Sequence, residues 1–314
     1  MEVLTTQKNI KEQLSKIASQ IGNTPLADIS VLSPNPDVRI LGKVEWQQFS
    51  NSVKARAAFN IIKDAIEKGE IHHQRGLIDA SSGNTAVAYA SIGAALGIPV
   101  AICLPENASS QKKMALQALG ANVVFTSKFG TTDEAQLKAK ELADKHPEKY
   151  WYADQYANEN NWKAHYNGTA MEILSQTNGG ITHFITGLGT TGTFIGTGRR
   201  LKKENPDIRL IALQPDMAMH GLEGWKHLES ARVPKIYDDS LADETYFIDT
   251  WDAYDVLKRT AGESGLLVSP SAAANIAGAI KLSQQISTGT IVTILTDHCS
   301  NYPEILSEIF NKER

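Results

Sequence analysis

Cysteine is scarce in this chain, since only Cys103 and Cys299 occur among its 314 residues. Two cysteines cannot form the disulfide framework of a small secreted protein, so we expect a reducing compartment and a cytoplasmic location. An excess of positive charge is also lacking, because 31 Lys and Arg residues stand against 35 Asp and Glu residues, for a net charge of -4. Without a dense basic stripe, the sequence does not favour binding to nucleic acid.

Long apolar runs are few. The first 20 residues lack the apolar core of a signal peptide and predict a short amphipathic helix, with Leu14, Ile17, Ala18 and Ile21 on one face. The stretch from Ala80 to Pro105 contains no charged residue and is long enough to span a membrane. Because residues 97–99 (Gly-Ile-Pro) divide it into a small-residue helix and a short strand, we expect buried core and no membrane association.

Motifs of several catalytic classes are missing. There is no His-Glu-x-x-His zinc motif, and the adjacent His72 and His73 fall in a polar turn. No Gly-x-Ser-x-Gly nucleophile elbow occurs. Residues 297–299 (Asp-His-Cys) could in principle ligate a metal, but no second cluster supports them. We therefore expect no metal.

The sequence does contain a repeated order of strand, turn and helix. The predicted strands are 77–80, 100–104, 122–126, 150–154, 182–186, 208–214, 265–269 and 290–296; the predicted helices include 53–68, 164–176, 253–263 and 271–285, and 215–250 is expected to be irregular. This alternation predicts an α/β fold with two domains, each with a mostly parallel sheet flanked by helices. We expect a larger domain from residues 1–50 plus 156–314, a smaller domain from residues 51–155, and an active-site cleft between them.

Five polar patches lie where this order predicts strand ends or helix starts. They are residues 52–54, 81–85, 187–193, 269–271 and 297–299. Ligands of open α/β sheets bind beyond the carboxyl ends of the strands. These patches are therefore the candidate site residues.

The segment Gly187–Thr193 reads Gly-Leu-Gly-Thr-Thr-Gly-Thr. Glycines let backbone N–H groups approach an anion, and the following helix start and the threonine hydroxyls favour a phosphate. The letters also match a dinucleotide fingerprint, with Asp216 where a ribose-binding acid would stand, so a nicotinamide-dependent dehydrogenase is an alternative. A tight turn without a ligand is the third interpretation.

Two further patches carry weaker signals. The segment Ser81–Thr85 (Ser-Ser-Gly-Asn-Thr) offers backbone and hydroxyl donors to a carboxylate, although ordinary helix capping explains the serines equally well. Lys54 is predicted in the first turn of an Ala- and Ile-rich helix. The helix dipole there favours the uncharged amine that a Schiff-base lysine needs, whereas most helical lysines are solvated surface charges.

Taken in order, these motifs resemble the fold type II (tryptophan synthase β-like) pyridoxal-phosphate enzymes, and among them the cysteine synthases, especially the B type with the O-phosphoserine sulfhydrylases. The residues that carry the resemblance are IGNTPL (21–26), NSVKARAA (51–58), SSGNTA (81–86), ITHFITGLGTTGTFIGTGR (181–199), IALQP (211–215) and GLLVSPSAAA (265–274). In the family, the second motif reads Gly-Ser-Val-Lys-Asp-Arg and holds the cofactor lysine. The resemblance covers nearly the whole chain.

The resemblance implies a role for each matched residue. Lys54 would form the internal aldimine with pyridoxal 5′-phosphate and move the α-proton, Asn84 would bond the 3′-oxygen, and Ser271 would meet the pyridine nitrogen. Gly189, Thr190, Thr191, Gly192 and Thr193 would surround the cofactor phosphate. Ser81, Ser82, Thr85 and Gln155 would hold the substrate carboxylate.

The activity implied is that of a transferase of cysteine biosynthesis. O-acetylserine or O-phosphoserine would lose its β-substituent to give an α-aminoacrylate, to which sulfide or a related sulfur donor adds. Cystathionine β-synthase-like condensation and serine/threonine dehydration are alternatives with the same cofactor. A pyridoxal-phosphate-binding homologue without catalysis is a further one. The family also implies a homodimer.

The sequence departs from the family pattern at several positions. These are Asn51 for a glycine, Ala55 for an aspartate, Ala86 for a glycine, and Pro270 and Ala273 beside Ser271. In residues 220–229, Glu223 falls near an arginine of phosphoserine-using relatives, and Lys226 could replace that charge. The departures leave the cofactor roles intact and the substrate open. Asp297 matches an aspartate of B-type members but is given no role.

Overall fold

The computed structural model describes residues 2–129 and 132–311. The helices are α1 (Glu2–Ala18), α2 (Lys54–Glu67), α3 (Asn84–Leu96), α4 (Ser110–Ala118), α5 (Thr132–Lys145), α6 (Glu159–Ala164), α7 (Ala170–Gln176), α8 (Gly192–Glu204), α9 (Thr250–Ser264), α10 (Pro270–Ser283) and α11 (Pro303–Asn311). The strands are β1 (Leu26–Asp28), β2 (Val38–Val44), β3 (Gly76–Ala80), β4 (Val100–Pro105), β5 (Asn122–Thr126), β6 (Tyr150–Tyr152), β7 (His183–Gly187), β8 (Arg209–Pro215), β9 (Glu244–Ile248) and β10 (Gly289–Leu295). A π-helical turn, His165–Thr169, joins α6 to α7.

The chain divides into two compact units. The smaller unit contains Met1–Gly22, Gln48–Ser50 and Lys54–Asn161, and the larger contains Asn23–Gln47, Asn51–Val53 and Trp162–Arg314. This division differs from the predicted one mainly at the N-terminus, which the sequence analysis assigns to the larger domain. The reason is packing: Ile10, Leu14 and Ile17 of α1 are buried in the same core cluster as α2 and α3.

The smaller unit is built on a four-stranded sheet in the order β5-β4-β3-β6, and all of its strand pairs are parallel. Side chains alternate between its two faces, as the pleat requires. Leu77 and Ile102 belong to the core under α1, α2, α3 and α4, whereas Ile78 and Cys103 belong to the core under α5. Helices therefore cover both faces.

The larger unit is built on a six-stranded sheet in the order β1-β2-β10-β7-β8-β9. Its strands are parallel except for the antiparallel pair of β1 and β2 at one edge. Ile40 and Ile185 lie in the core on the side of α9, α10 and α11, and their neighbours Leu41 and Phe184 lie in the core on the side of α7 and α8. The predicted α/β class with mostly parallel sheets is confirmed.

The individual strand predictions differ in quality. The strand predicted at 122–126 is β5 to the residue, and those predicted near β3, β4, β7, β8 and β10 are within one residue at each end. The strand predicted at 265–269 is wrong: Gly265 ends α9 with φ 71, Ser269 caps α10, and only Val268 forms a single bridge. The strands β1, β2 and β9 were not predicted, and β9 lies within the segment expected to be irregular.

Of the helices in the described part of the chain, none combines the length and the apolar character that a membrane crossing requires.

Candidate active site

Lys54 is the first residue of α2. In the larger unit, the N–H of Val53 donates to Thr296 O at 2.9 Å, and Ser52 bridges to Asp297. Asn51 has φ 53, in the left-handed region where asparagine is the side chain other than glycine that is best tolerated. This conformation explains how asparagine replaces the glycine of the related motif.

The segment Ser81–Thr85 joins the end of β3 to the start of α3. The buried Ser81 accepts the N–H of Gly83 at its Oγ over 3.2 Å, and Thr85 is also buried. Asn84 is the first helical residue, and Gly83 provides no side-chain cap. Ala86, another departure from the family pattern, lies in the core of the smaller unit. The structure thus brings together the residues predicted to hold a carboxylate.

Gln155 lies beside this segment. Its side-chain Nε2 donates to Ala80 O at 2.9 Å, and Asn161 Nδ2 donates to Gln155 O at 2.7 Å. The fully buried carboxylate of Asp79 accepts the N–H of Ala80 at 2.8 Å and the N–H of Gln155 at 3.2 Å. Burial raises the pKa of Asp79 to about 7. Asp79 was missed by the sequence interpretation, which treated residues 77–80 only as a strand.

Lys112 is a second residue that the sequence interpretation missed. Its Nζ donates to Asn84 Oδ1 at 2.6 Å, and the side chain is buried in the smaller unit. A signal was available in the sequence, because Lys112 stands one helical turn before the apolar Leu116, which is fully buried in the core. That spacing places a lysine on the buried face of α4.

The Gly-rich segment Gly187–Thr193 follows β7 and leads into α8. Gly187 donates its N–H to Asn275 Oδ1 at 2.7 Å, and Asn275 Nδ2 donates to Ile294 O at 2.6 Å, so this amide of α10 ties together the ends of β7 and β10. A Cβ on Gly189 would meet Gly224 O at 2.1 Å. Glycine is therefore required here by close backbone approach, whether or not a ligand binds.

Thr191 tests whether the segment fits a phosphate. It caps α8 with φ 71, and its Oγ1 is buried without a hydrogen-bond partner in the described structure. A buried hydroxyl of this kind requires an explanation. An anion at the start of α8 would accept hydrogen bonds from this hydroxyl and from the helix N–H groups, so the segment fits the phosphate of the cofactor.

Ser271 lies in the first turn of α10, and its Oγ is 2.9 Å from Thr296 Oγ1. Ser269 Oγ lies 3.1 Å from the same hydroxyl and caps the helix by accepting the N–H of Ala272. Thr296 in turn donates to Asp297 Oδ1 at 3.0 Å, and Asp297 Oδ2 accepts the Tyr302 hydroxyl at 2.7 Å. Asp297 is thus a buried acceptor that is linked to Ser271 through the Thr296 hydroxyl.

Two further contacts bear on the Gly-rich segment. Thr193 Oγ1 lies 3.3 Å from Nε2 of His165, a buried residue of the π-helical turn. The sequence analysis does not single out His165. Lys226 donates its N–H to Leu188 O at 2.7 Å, and Glu223 is exposed on the same loop.

Comparison with known proteins identifies the family. The profile described as "Pyridoxal-phosphate dependent enzyme" matches residues 17–297. The chain belongs to this family. It is 42% identical over 293 residues to a cysteine synthase of Aquifex aeolicus, covering 91% of this chain and 90% of that protein. It is 35% identical to cysteine synthase B of Pseudomonas aeruginosa, covering 92% and 96%.

Solved structures agree with this family. O-acetyl serine sulfhydrylase isoform 3 from Entamoeba histolytica superimposes with a TM-score of 0.87 at 32% identity, over 95% of this chain and 92% of that one. O-ureido-L-serine synthase superimposes with a TM-score of 0.88 at 28% identity, over 95% and 96%. The predicted fold type II architecture, the pyridoxal-phosphate cofactor and the membership of the cysteine synthase family are confirmed. The Gly-rich segment therefore does not indicate a nicotinamide-dependent dehydrogenase.

Proposed function

We propose that this pyridoxal-phosphate enzyme makes L-cysteine by replacing the acetoxy group of O-acetyl-L-serine with sulfide, which releases acetate. The observation that carries the proposal is the match to cysteine synthases over about nine-tenths of both chains. The bound cofactor supplies an electron sink for the α-carbon of the amino acid. This chain's side chains bind the cofactor and the substrate and move the α-proton.

The proposed roles follow the matched residues. Lys54 Nζ holds the cofactor covalently and takes the α-proton from the substrate. Gly189, Thr190, Thr191, Gly192 and Thr193 bind the phosphate, Asn84 donates to the 3′-oxygen, and Ser271 contacts the pyridine nitrogen. The buried hydroxyl of Thr191 supports the phosphate assignment.

The substrate carboxylate is proposed to bind at Ser81, Ser82, Thr85 and Gln155. In the described structure Gln155 uses one amide proton for Ala80 O, and its NH₂ group carries a second proton for a ligand. Asp79 holds the backbone next to these residues, since its carboxylate accepts the N–H of Ala80, which precedes Ser81, and the N–H of Gln155.

The acetyl ester is proposed over the phosphate ester. Several relatives are named for O-acetylserine, including the structure from Entamoeba histolytica. We further propose that the protein is a homodimer, as the resemblance to the cysteine synthases implies. We also propose that it works in the cytoplasm, which the two free, buried cysteines support.

The test is the substitution Lys54→Ala in purified protein supplied with pyridoxal phosphate. Wild type should show a visible band from the attached cofactor and should form cysteine from O-acetylserine and sulfide. Lys54→Ala should lose the band and lower the rate by about 10³-fold or more, because both the attachment and the base are removed. Lys63→Ala, an exposed lysine of the same helix, is the matched control and should behave as wild type.

The outcomes separate the parts of the proposal. Cysteine formation from O-phosphoserine alone would overturn the choice of ester, and reaction with homocysteine but not sulfide would overturn the sulfur donor. A wild-type protein that binds the cofactor yet turns over none of these substrates would sink the proposed activity.

A further inference from the structure

Lys112 is in an unfavourable place for a lysine. It is 6% exposed, and it lies in the first turn of α4, where Ser109 caps the helix by accepting the N–H of Lys112 at 3.3 Å. A cation is disfavoured both by burial and by the positive end of the helix dipole. The neighbouring Lys113 shows the ordinary alternative, because its ammonium group reaches Glu106 O in an exposed position.

The contact that Lys112 makes fixes the orientation of an amide. Its Nζ donates to Asn84 Oδ1 at 2.6 Å, a short hydrogen bond of the charge-assisted kind. An ammonium group has three donors and no acceptor, so only the oxygen of the Asn84 amide can face it. The NH₂ group of Asn84 must therefore point away from Lys112.

We infer that Lys112 is a positioning residue that holds the Asn84 amide by its oxygen and so presents the amide N–H donors to the cofactor. The inference rests on the proposed function, in which Asn84 donates to the 3′-oxygen. The terminal torsion of an asparagine is broad and roughly two-fold, so the amide has a second orientation in which its oxygen and its NH₂ group are exchanged. Only one of the two places a donor toward the cofactor oxygen, and the other places an acceptor there.

The experiment compares Lys112→Met with Lys113→Met. Methionine keeps the length of the buried chain and removes the donor. Titration of cofactor-free protein with pyridoxal phosphate should show a dissociation constant raised about tenfold for Lys112→Met, as expected for loss of a hydrogen bond that involves a charged group. The visible band should also weaken, because the 3′-oxygen loses the donor that stabilises its negative charge. Lys113→Met should change neither quantity.

A double-mutant cycle tests whether Lys112 acts through Asn84. Asn84→Ala should weaken cofactor binding by itself, and Lys112→Met should add little in that background. Lys112→Arg, which keeps a cationic donor, should recover most of the affinity and the band. Thermal unfolding of each cofactor-free variant shows whether it is folded, and Lys112→Arg serves as the folded comparison should Lys112→Met be unstable.

The outcomes distinguish this inference from the proposed function. Wild-type affinity and spectrum in Lys112→Met, or an equal loss in the Asn84→Ala background, would overturn the role of Lys112 while leaving cysteine synthesis untouched. Failure of the wild-type protein to bind pyridoxal phosphate would instead overturn the proposed function.

Discussion

At the scale of single residues, Thr191 carries two unfavourable features at once. Its φ of 71 places a β-branched residue in the left-handed region, which costs about 1–3 kcal/mol. Its hydroxyl is buried and has no partner among the described residues, which is a further unfavourable term. Residues with such features collect at ligand sites, where the ligand supplies the missing partner.

We expect Thr191→Val to shift stability and cofactor affinity in opposite directions. Valine keeps the shape and the β-branch, so the backbone is unchanged while the unpartnered hydroxyl is removed. The free energy of unfolding of the cofactor-free protein should rise by about 1 kcal/mol. The dissociation constant for pyridoxal phosphate should rise about tenfold or more, because a hydrogen bond to a charged group is lost. Denaturant unfolding and cofactor titration measure the two quantities.

Thr197→Val is the matched control. Thr197 lies on the same helix, is fully buried and also has a hydroxyl without a partner in the described structure, but it is outside the Gly-rich segment. Its substitution should stabilise the protein similarly and leave cofactor affinity unchanged. Equal weakening of binding by both substitutions would contradict the assignment of Thr191 to the phosphate.

The sequence predicts one kind of site residue and misses another. Lys54, Asn84 and Thr191 are candidates from the sequence because each lies in a polar motif at a strand end or a helix start, and their roles stay predictions. Lys112 and Asp79 could not be predicted from motifs, because their importance lies in contacts with Asn84 and Gln155 that only the fold creates. The apolar spacing from Lys112 to Leu116 was the one local signal.

At the scale of elements, β2 shows why a strand escapes prediction. Its sequence VRILGKV contains two cations, which interrupt the apolar run expected of a strand that is buried on both faces. Arg39 lies near one end and pairs with Asp28 at 3.2 Å, whereas Lys43 is fully buried and pairs with Glu172 of α7 at 2.7 Å. The ion pair that makes Lys43 compatible with the core joins segments far apart in sequence. Periodicity alone therefore cannot reveal it.

We expect Lys43→Met to destabilise the larger unit by about 3 kcal/mol, because removing one partner leaves the Glu172 carboxylate poorly solvated. Lys43 Nζ also donates to Gln176 Oε1 at 2.9 Å and to Thr24 O. Gln176 Oε1 loses this donor as well, whereas Thr24 O keeps the hydrogen bond from Gln176 Nε2 at 2.9 Å. Denaturant unfolding of the cofactor-free protein measures the change.

The double variant Lys43→Met with Glu172→Leu removes both charges. It should recover most of the lost stability, since an apolar pair often replaces a buried ion pair at little cost. Equal stability of Lys43→Met and wild type would show that the pair contributes nothing to the fold.

At the scale of the whole molecule, each unit has its own sheet and its own cores, and the chain passes from one unit to the other more than once. Residues 48–50 belong to the smaller unit and residues 51–53 to the larger, so segments of only three residues alternate between the two units. The sequence predicts two α/β groups because strands and helices alternate throughout. It does not predict that α1 completes the smaller unit, because an amphipathic face does not reveal which core it joins.

The pH dependence of global stability should report the ionisation of the Asp79 carboxyl. Burial raises the pKa of its carboxyl from 3.8 to about 7 in the folded protein, and the charge of Asp154 adds to the effect. Between these values the folded state binds more protons than the unfolded state, so the free energy of unfolding falls as the pH rises. Asn cannot titrate, and the unfolding free energy of Asp79→Asn relative to wild type should therefore climb across this window, by up to ~4 kcal/mol, and stay level above it.

Asp238→Asn is the control, because it shows whether any hydrogen-bonded carboxylate gives the same pH dependence of the unfolding free energy. Hydrogen bonds from Ser240 and Arg199 lower the pKa of Asp238, the opposite direction from Asp79. The Asp238 carboxyl is then ionised above about pH 5 in both the folded and the unfolded state. The difference in unfolding free energy between Asp238→Asn and wild type should therefore be level from there to neutral pH. Chemical denaturation at closely spaced pH values gives both curves. A level curve for Asp79→Asn as well would mean that the Asp79 carboxyl ionises normally in the folded protein, held as an anion by the N–H groups of Ala80 and Gln155.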